Sequence, residues 1–430
     1  MTHYGIISVS ATGPLNTMLP LGQELQRRGH QVTLIALLDA QPKAEAAGIP
    51  LQAVGQVEFP VGRMKAALSH LGKLSGLAAL RYTIELLNRE SEVFLRDGPE
   101  ISRKIGVEAL LVNQGAQTGG TLADHLHIPF ITVCSAVVLN QDPSIPPFNT
   151  QWPYSLAWSA QLRNRFGYWL LSRAATSIRN TIQHYRQQWQ LPAYRQSNDN
   201  YSGLAQISQA PADFEFPRRT LPPWFHFTGP FHTTNSREPI PFPWERLEAE
   251  KPIIYASMGT LQNQLLWVFE QIAEACSSLD AQLVISLGGS TQPEDLPQLA
   301  GEPIVVGYAP QLDILQRATI MITHAGMNTT MECLMHGVPM LAIPVANDQP
   351  GVSSRIVWSG VGERISLRSL TVEKLRVKIQ SVLTQPSYKE VALRLKAACR
   401  SGGGVNKAAD IIETAITTGQ PVLAQANPDV

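Results

Sequence analysis

The stretch Val305–Arg355, VVGYAPQLDILQRATIMITHAGMNTTMECLMHGVPMLAIPVANDQPGVSSR, decides the fold class. Ile320–Thr323 reads as a buried strand, His324-Ala325-Gly326 as a tight turn, and Met327–His336 as a helix that Gly337 ends. A strand, a glycine turn and a helix N-terminus place free backbone N–H groups and the positive end of the helix dipole where an anion can sit. Asn328, Thr329 and Thr330 add side-chain donors at that end, so the segment predicts a phosphate cradle without a lysine-bearing loop. The same alternation surrounds it. Pro252–Ala256, Leu283–Leu287, Ile304–Val306 and Met340–Ile343 are short apolar runs, each followed by a turn and usually a helix, which is the pattern of a parallel, doubly wound sheet.

Upstream, the pattern occurs a second time. Tyr4–Ser10 is an apolar run that stops at Ala11-Thr12-Gly13-Pro14. Leu15, Met18, Leu19, Leu21 and Leu25 then recur at helical spacing, Gly29 closes the helix, and Val32–Ala36 is the next strand. Ala109–Val112 and Phe130–Val133 add strands, with a helix through Gly120–His127 between them. The proline-rich Asn235–Trp244, NSREPIPFPW, has no period and reads as a linker. The expectation is an α/β protein of two Rossmann-like doubly wound domains, 1–235 and 236–404, whose strand ends face an interdomain cleft. A helix at about 405–418 follows Gly402-Gly403-Gly404, and the tail after Gly419 carries no pattern that would hold it.

Composition narrows the function. Of 430 residues, 34 are Lys or Arg and 34 are Asp or Glu, so no global field draws in nucleic acid or an anionic surface. Hydrophobic residues make up 44% and charged ones 16%, which suits a globular chain and not a disordered one. No run is long and apolar enough to span a membrane, and the opening MTHYGIISVS lacks the regions of a signal peptide; a cytoplasmic protein is expected. Cys134, Cys276, Cys333 and Cys399 are far apart, as expected of reduced, buried thiols rather than metal ligands. Nothing in the sequence demands an oligomer.

With those residues in view, the chain resembles the UDP-glycosyltransferase family, the inverting GT-B enzymes, and within it the bacterial zeaxanthin glucosyltransferase and macrolide glycosyltransferase branch. The resemblance is densest over 305–355 and extends more weakly from the Gly13 turn through Ser257-Met258-Gly259-Thr260 to the last helix. It implies a UDP-sugar as co-substrate, with no further cofactor and no metal. It places Tyr308 on the uracil, Ala309 and Gln311 at base and ribose, and Glu332 on the ribose hydroxyls. His324, Gly326, Asn328 and Thr329 fall on the diphosphate, with Ser257, Gly259 and Thr260 closing from the other side, and Asp348 and Gln349 fall on a glucose-like sugar. The acceptor would be a hydrophobic small molecule of secondary metabolism. An aromatic-rich stretch, 148–189, offers Phe148, Trp152 and Trp158 to it, or else forms a helical hairpin whose rings pack on its own body.

One part of the family's pattern is missing. The first turn normally carries Gly-His, the general base, where this chain has Gly13-Pro14; the aspartate that partners the histidine is here Asn113. Proline accepts no proton, and an amide does not hold an imidazolium as a carboxylate does. Three explanations stand at this point. Another residue supplies the base, with Asp142 first and His70 next; or the acceptor ionises readily; or transfer has been lost and the fold binds a nucleotide or hydrophobic ligand for another purpose. An epimerase on the same fold finds no support in the Asp348-Gln349 context.

Overall fold

A computed structural model of the chain describes residues 1–72, 76–231, 240–259, 265–289 and 291–424. Two parallel sheets organise it. The first holds β1 (His3–Ile7), β2 (Gln31–Ala36), β3 (Leu51–Ala53), β4 (Ala109–Asn113), β5 (Phe130–Cys134), β6 (Gln206–Ser208) and β7 (Phe225–Phe227), in the order β3-β2-β1-β4-β5-β6-β7. The second holds β8 (Ile253–Ser257), β9 (Gln282–Ser286), β10 (Ile304–Val306), β11 (Ala318–Thr323), β12 (Met340–Ala342) and β13 (Gly362–Arg364), in the order β10-β9-β8-β11-β12-β13. Each order reverses once, between β1 and β4 and between β8 and β11. These are the two points where a doubly wound sheet leaves a crevice beyond its carboxyl ends.

Helices cover both faces. With the first sheet run α1 (Thr12–Arg27), α2 (Gln41–Ala46), α3 (Arg63–Gly72), α4 (Gly76–Ile105), α5 (Gly119–Leu126), α6 (Trp158–Ala174) and α7 (Thr176–Gln188). With the second run α8 (Leu266–Cys276), α9 (Gln311–Leu315), α10 (Met327–His336), α11 (Gln349–Ser359), α12 (Val372–Thr384) and α13 (Pro386–Ser401), and α14 (Gly404–Thr418) ends the order. Because helices shield both sides, the central strands are continuous apolar runs: Ile6 pairs in register with Leu34 and Leu111, and all three are fully buried. The strands that the sequence pattern does not reveal, β3, β6, β7 and β13, are three residues each, too short to show a period. The expected linker falls partly on residues 232–239, outside the described residues. No described helix is long and apolar enough to cross a membrane. The four cysteines are free and buried.

α14 belongs spatially to the first sheet. Its Ala408, Ala409, Ile411, Ile412 and Ala415 join the cluster built on Ile6, Leu21 and Leu34. At its rim, Arg28 pairs with Asp410 at 2.7 Å and with Glu413, which also meets His30 at 2.8 Å. The glycines before it have a steric cause. A Cβ on Gly402 would meet the Thr228 carbonyl oxygen at 2.5 Å, and Gly403 has φ +82°, so only glycine lets the chain cross at Thr228. The tail departs from expectation: Val422 N donates to Leu204 O (2.9 Å), Ala424 N to Pro223 O (2.7 Å), and His226 Nε2 bonds Val422 O (2.9 Å). The reason is a sheet edge, since the segments flanking β6 and β7 carry carbonyls that the tail satisfies. Ile412→Ala, at a fully buried position, is expected to cost about 2–5 kcal/mol in urea unfolding, as large-to-small core substitutions do.

Candidate active site

The second sheet builds one half of the cleft. β8 and β11 are neighbours, so the turns that follow them lie side by side. After β11, Thr323 Oγ1 accepts from Ala325 N (3.1 Å), Ala325 takes φ +65°, and Gly326 enters α10 in extended conformation with no side chain capping the helix. The free N–H groups of the first helical turn are therefore open toward the cleft. The His324 ring is wedged between Gly259, which has φ +74°, and Gly326; a Cβ on either would collide with the imidazole. Its Nδ1 is buried without a hydrogen bond of ordinary geometry, and burial pulls the imidazole down to about 4, opposed only by the Ser257 backbone. A neutral ring is thus held beside the helix end. Ser257 Oγ accepts from Gly259 N at 3.3 Å and fixes the opposite turn. Thr260 lies outside the described residues.

A second cluster adjoins it. Gln311, at the start of α9, donates to the fully buried carboxylate of Glu332 and, at 3.5 Å, to Thr329 Oγ1, while accepting from Tyr255 Oη at 3.3 Å. Tyr308 leaves 49% of its surface exposed beside Gly289, and Ala309 next to it is buried. Asp348 stands at the entry of α11 without a side-chain capping bond, and burial raises its carboxyl against the pull of its own and the Val137 backbone N–H groups and of Arg355. Gln349 Oε1 accepts from Val345 N (2.8 Å) and Ala346 N (3.0 Å), so it shapes the loop that presents Asp348. The structure thus brings His324, Gly326, Thr329, Glu332, Gln311 and Tyr308 to one edge of the second sheet.

Asn328 does something the sequence does not reveal. Its Nδ2 donates to Gly13 O (2.8 Å), and its Oδ1 accepts from Thr17 Oγ1 (3.2 Å) and Gln209 Nε2 (3.0 Å). The side chain bridges the helix end to the first domain instead of standing open in the cradle. A deeper seam lies at Arg355, which is 1% exposed: Nε and Nη2 donate to Glu215 Oε1 at 3.0 and 2.6 Å, and the guanidinium lies 4.5 Å over Phe216. Arg355 and Arg218 hold the buried Glu215 below its ordinary range.

The first-domain candidates fare differently. Pro14 stands in the first turn of α1, and Asn113 is a structural amide: Nδ2 donates to Ser135 Oγ (2.7 Å) and Oδ1 accepts from Gly115 N (3.0 Å). Asp142, the first candidate base, has its carboxylate engaged by neighbouring donors. One oxygen accepts from Ser144 N (2.8 Å) and Ser144 Oγ (2.6 Å), the other from Arg219 N (3.1 Å), and these donors outweigh burial and keep the carboxyl below its usual range. It anchors a turn and accepts protons poorly. His70 lies on the exposed face of α3, its ring edge-on to Tyr82 at 4.9 Å.

The aromatic candidates lie in three different surroundings. Trp152 packs against Gly167 of α6 with Arg163 over its ring, Trp158 is 75% exposed, and Phe148 has its backbone against Gly351. α6 packs on the 143–152 loop through Asn164 and Gly167, and of the three rings Trp152 serves that packing. Sequence reasoning missed Glu90 on α4, which lines a pocket at the ends of β1 and β4. Its signal was an acid between Leu87 and Phe94, on the buried face of a helix.

Asp142→Asn separates an anchoring role from a catalytic one. Because the folded carboxyl is depressed, its stabilisation is present above the unfolded value of about 3.9 and lost as pH falls through the lower folded value. The variant is expected to unfold more easily than wild type at pH 7, with the gap closing in acid. Turnover should stay within about tenfold, where removal of a general base costs roughly 10²–10⁴-fold.

Residues 178–400 match the family described as UDP-glucoronosyl and UDP-glucosyl transferase. Over 432 residues the chain is 32% identical to a zeaxanthin glucosyltransferase of Pantoea ananas, covering 99% of this chain and 98% of that one. A zeaxanthin glucosyltransferase of Pseudescherichia vulneris is 29% identical over 98% and 100%. Among solved structures, the glycosyltransferase of kitacinnamycin superposes with a TM-score of 0.76 at 22% identity, over 96% of this chain and 98% of that one, which speaks for the fold. Two doubly wound domains, a cleft edged by the His324 turn and the Gln311–Glu332 pair, and sequence identity along the whole chain lead to one assignment: the protein belongs to the UDP-glucoronosyl and UDP-glucosyl transferase family and is a glycosyltransferase of GT-B architecture.

Proposed function

We propose that the protein transfers a hexose, glucose in the first instance, from a UDP-sugar to a hydrophobic small-molecule acceptor with inversion at the anomeric carbon. The observation that carries this reading is the meeting, at the β8/β11 reversal point, of an uncapped helix end, a neutral His324 and the Gln311–Glu332 pair. Each has a matching part of the donor. The helix end and His324 take the charge that grows on the departing diphosphate, so no resident cofactor or metal is called for. Glu332 receives the ribose hydroxyls, Tyr308 offers a ring face to the base, and Asp348 with Gln349 meets the sugar hydroxyls. The zeaxanthin glucosyltransferases, 32% and 29% identical, support both the sugar and an apolar acceptor.

Asn328 gives this reading a conformational step. Its bonds to Gly13, Thr17 and Gln209 occupy the mouth of the cradle, so donor binding exchanges them for bonds to phosphate. A second reading, a binding protein that has lost transfer, draws on Pro14 and on the fully engaged Asn113.

Calorimetric titration with UDP is expected to show binding that weakens at least about tenfold in His324→Ala and in Glu332→Ala, roughly 1.4 kcal/mol each. Since burial holds His324 neutral down to about 4, wild-type affinity should show no histidine-like step between pH 6 and 7. Glycoside release from UDP-glucose and a panel of apolar alcohols and phenols separates the two readings: release supports transfer, and UDP binding without release supports the second.

A further inference from the structure

The first sheet reverses its order between β1 and β4, and a small pocket of about 30 Å³ lies beyond those two strand ends. Its walls are Ser8 and Val9 after β1, residues 115–118 after β4, Leu87 and Phe94 on α4, and Ile178 on α7. The lining is largely apolar, and among the described residues Glu90 is its one ionisable side chain. Glu90 is 6% exposed and its Oε1 is buried without a hydrogen-bond partner. The Ser10 backbone N–H is what its carboxylate draws on, and Ser10 opens the turn that carries Pro14. By contrast, the buried Glu215 is met by Arg355 and the buried Asp142 by three donors. A carboxyl with one oxygen left without a partner and no cation beside it, at a sheet's reversal point in an apolar pocket, is placed as a functional group is and not as a structural one.

We propose that this pocket receives the hydroxyl end of the acceptor, an apolar alcohol or phenol whose body lies outside it, and that Glu90 takes the acceptor's proton in place of the residues absent at positions 14 and 113. The inference rests on the transferase reading of the opposite half of the cleft. In the step, the acceptor oxygen forms a bond to the anomeric carbon while the bond from that carbon to the diphosphate oxygen breaks, its electron pair leaving with UDP. The hydroxyl proton passes to the Glu90 carboxylate and from there to solvent once the glycoside departs. Desolvation pushes Glu90 up to about 7, opposed by the Ser10 N–H, and among the described residues no other charged side chain lines the pocket from β1, β4, α4 or α7. The group is therefore a competent base above neutrality and is protonated, and inactive, below it.

The test compares wild type, Glu90→Gln and Glu90→Asp with UDP-glucose and two acceptors, an apolar primary alcohol and a nitrophenol already ionised at the assay pH of 8. Wild-type kcat for the alcohol should fall on an acid limb near pH 7. Glu90→Gln should lose the limb and roughly 10²–10⁴-fold in kcat for the alcohol, lose far less for the phenolate, and bind UDP as wild type does. Glu90→Asp, which keeps a carboxylate, should turn the alcohol over faster than Glu90→Gln. Removing a buried charge should leave the melting temperature of Glu90→Gln at pH 8 at or above wild type. Alcohol turnover by Glu90→Gln within about threefold of wild type, or equal losses for alcohol and phenolate, would overturn the role of Glu90 and leave the donor-site reading intact. Wild type that binds no UDP and releases no glycoside would overturn both.

Discussion

Arg355 cannot be buried alone. Removing one partner of a buried ion pair strands the other charge at a cost of about 3–5 kcal/mol, so its position on α11 requires Glu215 from the first domain to be opposite it. Much of the cleft follows from that pairing. It fixes the N-terminal half of α11, hence Asp348 at the helix entry, and brings the Val137 backbone within reach of the Asp348 carboxyl. The close approach is visible at Gly351, where even a Cβ would strike the Phe148 backbone. Guanidinium suits the site because its planar fork meets Glu215 twice while its face lies on Phe216.

From that seam the two reversal points face each other, and they are chemically unlike. The β8/β11 side offers backbone N–H groups, a neutral histidine and a network of hydrogen bonds, a polar surface prepared for a polar ligand. The β1/β4 side offers an apolar pocket with a single acid. A reaction that joins a charged nucleotide sugar to an apolar alcohol requires both surfaces to meet across one gap. Asn328, rooted in the second side and bonded to the first, bridges that gap.

How much was legible beforehand depended on the range of the interactions involved. The strand–turn–helix at Ile320–His336 could be read because strand burial, a glycine turn and a helical period are local, and the structure places a strand over Ala318–Thr323 and a helix over Met327–His336. Turn residues such as His324 and Gly326 were legible for the same reason. The partners of Asp142 were not legible because a carboxylate in a loop looks alike whether its lone pairs are open or filled, and here Arg219, distant in sequence, fills one of them. The direction of Trp158 was not legible because an aromatic side chain carries no mark of which way its helix will turn, and this one faces solvent.

By itself, the sequence determined the two doubly wound domains and the strand, turn and helix around His324, all written in local patterns. Tertiary structure alone decided the surroundings of Glu90. It is one of many glutamates until α4 packs over the ends of β1 and β4 and removes it from water beside the turn that carries Pro14. The same is true of Asn328 and of Glu215 with Arg355, whose partners lie more than a hundred residues away. Ionisation and hydrogen bonding are set by what surrounds a group in space, and a linear order of residues does not state those surroundings.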